Sequence, residues 1–151
     1  MISMTTKIPP PLVALTFNLS VNYSKSIFPK IDIGWGSVFG SFMISIGLII
    51  ILSAIIQFKK YKTTITPLNP SNATKLIVHG IYKFSRNPMY LGLLLILSGI
   101  SIIQNPIGGL LFVPSFILYI THFQIIPEES AMLDLFKDDF LKYKDNVRRW
   151  I

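Results

Sequence analysis

The chain has 151 residues, of which 51% are hydrophobic and 14% charged, with a net charge of +7 and no cysteine. A soluble domain carries about 25% charged residues to cover its surface, so the composition disfavours a water-soluble globule and indicates a membrane protein. The lack of cysteine removes disulfides, thiolate metal sites and cysteine nucleophiles, and two histidines, His79 and His122, are too few for a histidine metal cluster.

Residues 1–11, "MISMTTKIPPP", read as an irregular lead-in, because proline breaks a helix interior. Residues 12–28 are apolar but interrupted by Asn18, Asn22 and Lys25, a weak span. A cleaved signal peptide is disfavoured, since prolines come first and no small-residue cleavage site follows an apolar core. Residues 38–58 hold no charge, and at ~1.5 Å rise per residue such a run crosses a ~30 Å hydrocarbon core. Gly40, Ser41, Ser45, Gly47, Ser53 and Ala54 along it suit close helix packing in lipid.

Lys59, Lys60, Lys62, Lys75, Lys83 and Arg86 then fall in one segment with no acidic residue. Set between apolar runs, this cluster marks a cytoplasmic loop facing anionic lipid rather than a nucleic-acid surface. The stretch "TTITPLNPSNATK" inside it reads equally as a lid or a plain connector. From Arg86 to Glu128 no Lys, Arg, Asp or Glu occurs, about twice the length of one span, and "QNPIGG" at 104–109 marks a turn near its middle. A hairpin out along 89–104 and back along 106–126 is expected, and it returns the chain to the face it left, bringing Arg86 and Glu128 together. The tail from Glu128 to Ile151 carries both signs of charge. Leu133, Phe136, Phe140, Tyr143 and Val147 recur as one face of an amphipathic helix. Pro127 with Glu128 and Glu129 reads as its start. The fold expected is all-α: a polytopic membrane helix bundle of four spans, with a C-terminal helical hairpin, an amphipathic C-terminal helix and both termini cytoplasmic, in one domain.

Two polar motifs stand at that shared face. In "SRNPMY", Ser85 or Asn87 caps the next helix and Arg86 anchors at the interface, or the free N–H groups and the guanidinium bind an anion. In "IPEES", the glutamates are either solvated helix-start residues or partners of Arg86 in clamping a zwitterion, the ammonium on Glu128 and the carboxylate on Arg86. His79, beside a glycine turn, is a weak candidate base; His122 reads as interfacial. "GWGSVFG" at 34–40 is no dinucleotide loop, since no strand precedes it.

With these motifs in place, "TTITPLNPSNATKLIVHGIYKFSRNPMYLG", the hairpin and "IPEESAMLDLFKDDFLKYKDNVRRWI" resemble the isoprenylcysteine carboxyl methyltransferase family, in a wider group with the phospholipid N-methyltransferases. The resemblance covers residues 59–151. It implies S-adenosyl-L-methionine as cofactor, a lipid-like or hydrophobic methyl acceptor at the membrane, and neither metal nor nucleic acid. It also implies cofactor contacts at Thr74, Lys75, Leu76, Ile77, Tyr82, Asn87, Pro88, Met89, Tyr90 and Glu128, with Arg86 and Glu128 central to catalysis. The sequence departs from the family pattern at Asn87, where the eukaryotic members have histidine. It departs again at Gln124, where they have an arginine for the substrate carboxylate, and at Lys137, where a glycine is expected after Phe136. Oxygen, nitrogen and sulfur acceptors stay open, as does a non-catalytic membrane scaffold or small-molecule binder of the same architecture. A membrane reductase lacks support, because no phosphate-binding loop is present.

Overall fold

The computed structural model describes residues 8–29, 31, 33–61 and 74–151. Every regular element among them is helical. They are α1 (Pro10–Tyr23), α2 (Gly36–Tyr61), α3 (Pro88–Gln104), α4 (Pro106–Ile120) and α5 (Ile126–Asn146). Short 3-10 turns lie at Ser24–Ser26 and Gly80–Lys83, and a π-helical turn at Thr121–Ile125 joins α4 to α5. The stretch read as a lid or connector falls mostly outside the described residues.

α1 begins inside the stretch expected to be irregular. Pro10 and Pro11 occupy its first turn, where a missing N–H costs nothing because those donors have no intrahelical partner. Its polar residues bond back to their own helix: Thr16 Oγ1 donates to Val13 O, Asn18 Nδ2 to Ala14 O and Ser20 Oγ to Thr16 O. Those bonds let a polar-looking segment keep an apolar exterior of Leu12, Leu15 and Leu19, though Asn18 Oδ1 is buried without a partner.

α2 and α3 form the closest pair, and glycines explain why. Gly40 and Gly47 of α2 face Gly99 and Gly92 of α3 in antiparallel register. A methyl group at Gly40 or Gly47 would stand 2.6 Å from the facing carbonyl oxygen, so the two backbones touch where any side chain would separate them. Ala54, one further heptad along α2, is fully buried, while Ser41 and Ser45 look outward. α2 and the helical stretch Pro106–Asn146 are each long and apolar enough to cross a membrane, and α3 is a shorter apolar helix.

Asn105 is the single residue between α3 and α4, and it makes the hairpin. Its side chain is fully buried. Oδ1 accepts from Gly108 N at 2.9 Å, and Nδ2 donates to Phe28 O at 3.3 Å, tying the turn to the end of the α1 segment. α1, α3, α4 and the π turn share one core of Val13, Ala14, Val21, Tyr90, Leu97, Phe116, Ile120 and Ile125.

Pro127 lies in the first turn of α5 with Glu128 and Glu129, as expected, but the helix has no free start. The chain stays helical through the π turn, with Ile126 N donating to Thr121 O, five residues back. A π turn is the wide form that accommodates a local fault in the α ladder, and a proline just beyond supplies one. α5 is also not one straight amphipathic helix: Lys137 sits at φ 43° and ψ −117°, and the helix kinks there. Of the expected apolar face, Phe140 and Tyr143 are buried, Leu133 is exposed, and Val147 has left the helix for extended backbone.

Candidate functional site

The hairpin carries the start of α3 and the start of α5 to one place. Arg86 precedes α3 and lies only 7% exposed. Its Nη2 donates to Glu129 Oε1 at 2.8 Å and its Nη1 to the Lys144 carbonyl at 3.0 Å. Arg149 forks onto the same Glu129, Nε to Oε1 at 3.1 Å and Nη2 to Oε2 at 2.8 Å. Glu129 therefore closes an Arg86–Glu129–Arg149 triad. Burial pushes its carboxyl up, but the Arg149 hydrogen bonds and the charges of Arg86 and Arg149 outweigh that and hold it below the ordinary carboxylate range. The same contact raises Arg149. Neither Glu129 as the Arg86 partner nor Arg149 was anticipated. Successive helix residues point about 100° apart, and only the rotational phase of α5 decides which glutamate meets the guanidinium.

Glu128 meets something else. Its Oε1 accepts from the Tyr90 hydroxyl at 2.5 Å, and no cation pairs with it among the described residues. The residue is half-buried. That burial pushes the carboxyl up to about 7, against a lowering by the Tyr90 hydrogen bond and with a further rise from Glu129. One donor in the same cluster is also unused: Arg86 Nε is buried without a partner.

The remaining candidates divide into groups. Ile77 and Tyr82 are buried with Ala54, and Met89 packs against them. Pro88 is buried at the first position of α3. Tyr82 is held from outside, its carbonyl accepting from Tyr143 Oη at 2.7 Å. Burial raises the Tyr82 hydroxyl, with smaller contributions from Tyr143 and then Glu128. Gly80, at φ +62°, a backbone conformation that glycine adopts freely, lies against the Gln57 side chain of α2 and turns the chain into this cluster. Thr74 and Lys75 are exposed and Leu76 half-buried.

Asn87 does not cap α3. Its side-chain amide donates instead to the Arg149 carbonyl at 3.0 Å, and its backbone N–H to Ser85 Oγ at 3.1 Å. Outside the bundle, an open cavity of about 580 Å³ is walled by Leu76, Val78, Tyr143 and Val147, with Lys83, Lys142, Asp139 and Asn146 at its polar edge. Tyr143 and Leu76 link it to the Tyr82 group. His79 is exposed and stacks on Tyr61 at the end of α2, and His122 lies against Phe123 in the π turn. Gln124, also in the π turn, is buried. Its Nε2 donates to Ile8 O at 2.9 Å, and its Oε1 has no partner. No group of residues able to hold a metal ion occurs among the described residues.

Comparison with known proteins adds lineage to this geometry. The family model "Phospholipid methyltransferase" matches residues 35–139. Protein-S-isoprenylcysteine O-methyltransferase A of Arabidopsis thaliana is 31% identical over 115 residues, 75% of this chain and 57% of that protein, so the chain spans little more than half the length of that relative. An uncharacterized protein of Haemophilus influenzae is 43% identical over 63 residues, 42% of this chain and the whole of that protein. No solved structure matches.

Proposed function

From the fact that this chain belongs to the phospholipid methyltransferase family, we propose that it is an integral-membrane methyltransferase that moves a methyl group from S-adenosyl-L-methionine to a lipid-like acceptor. The observation that carries the reading is the half-buried Glu128 carboxylate, which has a tyrosine beside it and no cation among the described residues, next in sequence to the Glu129 that holds Arg86, whose Nε is buried without a partner. A half-buried carboxylate without a cation is costly, and a buried donor without an acceptor is costly too. A ligand with an ammonium and a carboxylate relieves both. The methionine portion of S-adenosyl-L-methionine has that charge pattern.

The residues fit the cofactor in other respects. Glu128 holds the ammonium. Arg86 presents one N–H while Glu129 and the Lys144 carbonyl fix its guanidinium plane. Tyr82 and Tyr90 offer aromatic faces near a sulfonium cation. The cavity beside Leu76 and Tyr143 has apolar walls for a nucleobase. Ile77, Asn87, Pro88 and Met89 shape the floor, and Thr74 and Lys75 form the outer lip.

When bound, the cofactor supplies a methyl group on a sulfonium sulfur that departs as a neutral thioether, so no acid is needed for the leaving group. The protein's share is alignment and exclusion of water. Gln124 offers a neutral amide where an acceptor carboxylate needs a cation, which favours an unprotonated amine, one that takes the methyl as an ammonium and sheds its proton to water afterwards, over a prenylcysteine carboxylate. The apolar outer faces of α1, α2 and α4 meet acyl chains, and the acceptor enters sideways from the lipid. Four spans place both termini and the basic 59–86 segment in the cytoplasm.

The test is calorimetric titration with S-adenosylhomocysteine in lipid nanodiscs, paired with tritium transfer from labelled cofactor into lipid extracts. Saturable binding and a labelled lipid are expected. Absence of both in folded protein would leave the scaffold reading in its place.

A further inference from the structure

We infer that residues 147–151 form a strap that sets the working shape of the Ser85–Asn87 turn, with Arg149 as its positioning residue. The inference rests on the cofactor reading above, which uses this segment only through Val147 in the cavity wall, and it assigns a role to the rest.

The turn before α3 has one side-chain bond of its own, from Asn87 N–H to Ser85 Oγ at 3.1 Å. Pro88 contributes no N–H, and the Asn87 side chain makes no cap bond to its own helix. The turn's longer-range bonds come from the C-terminal segment. Arg86 N donates to Arg148 O at 3.1 Å. Ser85 Oγ and Asn87 Nδ2 both donate to Arg149 O, at 3.4 and 3.0 Å, the latter across 62 positions of sequence. These backbone acceptors are free because the chain turns extended at Val147 (φ −129°, ψ 128°) instead of continuing α5.

Three anchors keep the strap there. Its guanidinium forks onto Glu129, whose other contact is Arg86 itself, so the strap and the turn share one carboxylate. Trp150 packs against the core that contains Tyr90 and Ile125. Tyr143, just before the strap, grips the Tyr82 carbonyl. Arg149 thus acts on the turn from both sides. Its carbonyl holds Ser85 and Asn87, and its side chain keeps Glu129 occupied, so that Glu128 stays the carboxylate without a cation. The strap touches the turn and leaves Glu128 and Tyr90 to the ligand.

The experiment uses the full chain in lipid nanodiscs, with the variants Arg149→Ala and Arg149→Lys and a chain ending at Asn146. Affinity for S-adenosylhomocysteine and hydrogen exchange of residues 85–92 are read together. Arg149→Ala should weaken binding about tenfold or more and speed exchange in that window, with helix content unchanged, the scale expected when a remote change misplaces a site. Arg149→Lys, which keeps charge without the fork, should recover part of both. The shortened chain should regain binding and protection when the synthetic peptide Val-Arg-Arg-Trp-Ile is added. Unchanged affinity and exchange in Arg149→Ala would overturn the inference. So would a loss that includes the helix content and that neither Lys nor peptide restores. If the parent chain binds no S-adenosylhomocysteine, the cofactor reading fails by itself, and the exchange of residues 85–92 alone decides the strap.

Discussion

Glu128 and Glu129 are chain neighbours at the head of α5, and they meet opposite surroundings. Glu129 receives three hydrogen bonds from two guanidiniums and is held ionised. Glu128 receives one from a tyrosine, meets no cation among the described residues, and is pushed by burial toward its protonated form. Rotation of about 100° around the helix separates a completed ion cluster from an incomplete one. A completed cluster stabilises the fold, whereas an incomplete one loses stability that a complementary ligand returns. The charged motif is therefore two devices, one that holds the turn together and one that, in our proposal, takes a cationic ligand.

The largest effect expected from pulling the two apart is on binding. Glu128→Gln keeps the shape and the acceptor for Tyr90 but removes the charge, and should weaken S-adenosylhomocysteine by about 100-fold, within the range for losing one partner of a buried charge pair. Calorimetry at pH 8 checks it, and the unliganded variant should be no less stable than the parent.

Glu129→Ala should act on the fold instead. It strands Arg86, and Arg149 less so because Arg149 is 34% exposed, so a loss of about 3 kcal/mol is expected, read from thermal unfolding in detergent. A Glu129→Ala protein as stable as its parent would dissolve the distinction between the two carboxylates.

Acidity sharpens the contrast, because the two shifts have opposite sign. Glu129 has a depressed folded value, so its contribution is present above the ordinary carboxylate range and is lost as pH falls through the folded value. Glu128 has a raised one, so its contribution is full below the ordinary value and disappears as pH rises through about 7. Unliganded stability should therefore fall modestly between pH 5 and pH 8, and Glu128→Gln should flatten that decline. Affinity for S-adenosylhomocysteine should rise over the same interval, as Glu128 ionises.

The smallest expected effect is a control on the same helix that touches neither glutamate. Lys137 holds a positive φ that glycine adopts freely, so Lys137→Gly should stabilise by about 1 kcal/mol without altering binding. Thermal unfolding and calorimetry on one preparation read both quantities.

Much of this arrangement could be read before any coordinates. The charge-free run after Arg86 and the turn at 104–109 located the hairpin, because length and charge depend on composition alone. The small residues of α2 signalled close packing, but only the structure shows that Gly40, Gly47 and Ala54 form the buried seam while Ser41 and Ser45 do not. The sequence "IPEES" has the composition of a helix start, and nothing local reveals that the chain arrives already helical through a π turn. The partner of Arg86 depended on that same phase. Arg149 was hidden for another reason: its contacts arise from the chain doubling back within α5, at the Lys137 kink. The glycine expected after Phe136 did leave a trace, since the lysine in its place sits at a φ suited to glycine.

The central claim is that a cationic ligand completes Glu128. Carbon-13 NMR of side-chain carboxyls in glutamate-labelled protein, with the signals assigned through Glu128→Gln and Glu129→Gln, follows each carboxylate directly across pH. Without ligand, Glu128 should titrate near 7 and Glu129 below the ordinary carboxylate range. With S-adenosylhomocysteine bound, Glu128 should fall by more than a pH unit while Glu129 stays fixed. A Glu128 signal that titrates identically with and without the ligand would contradict the account.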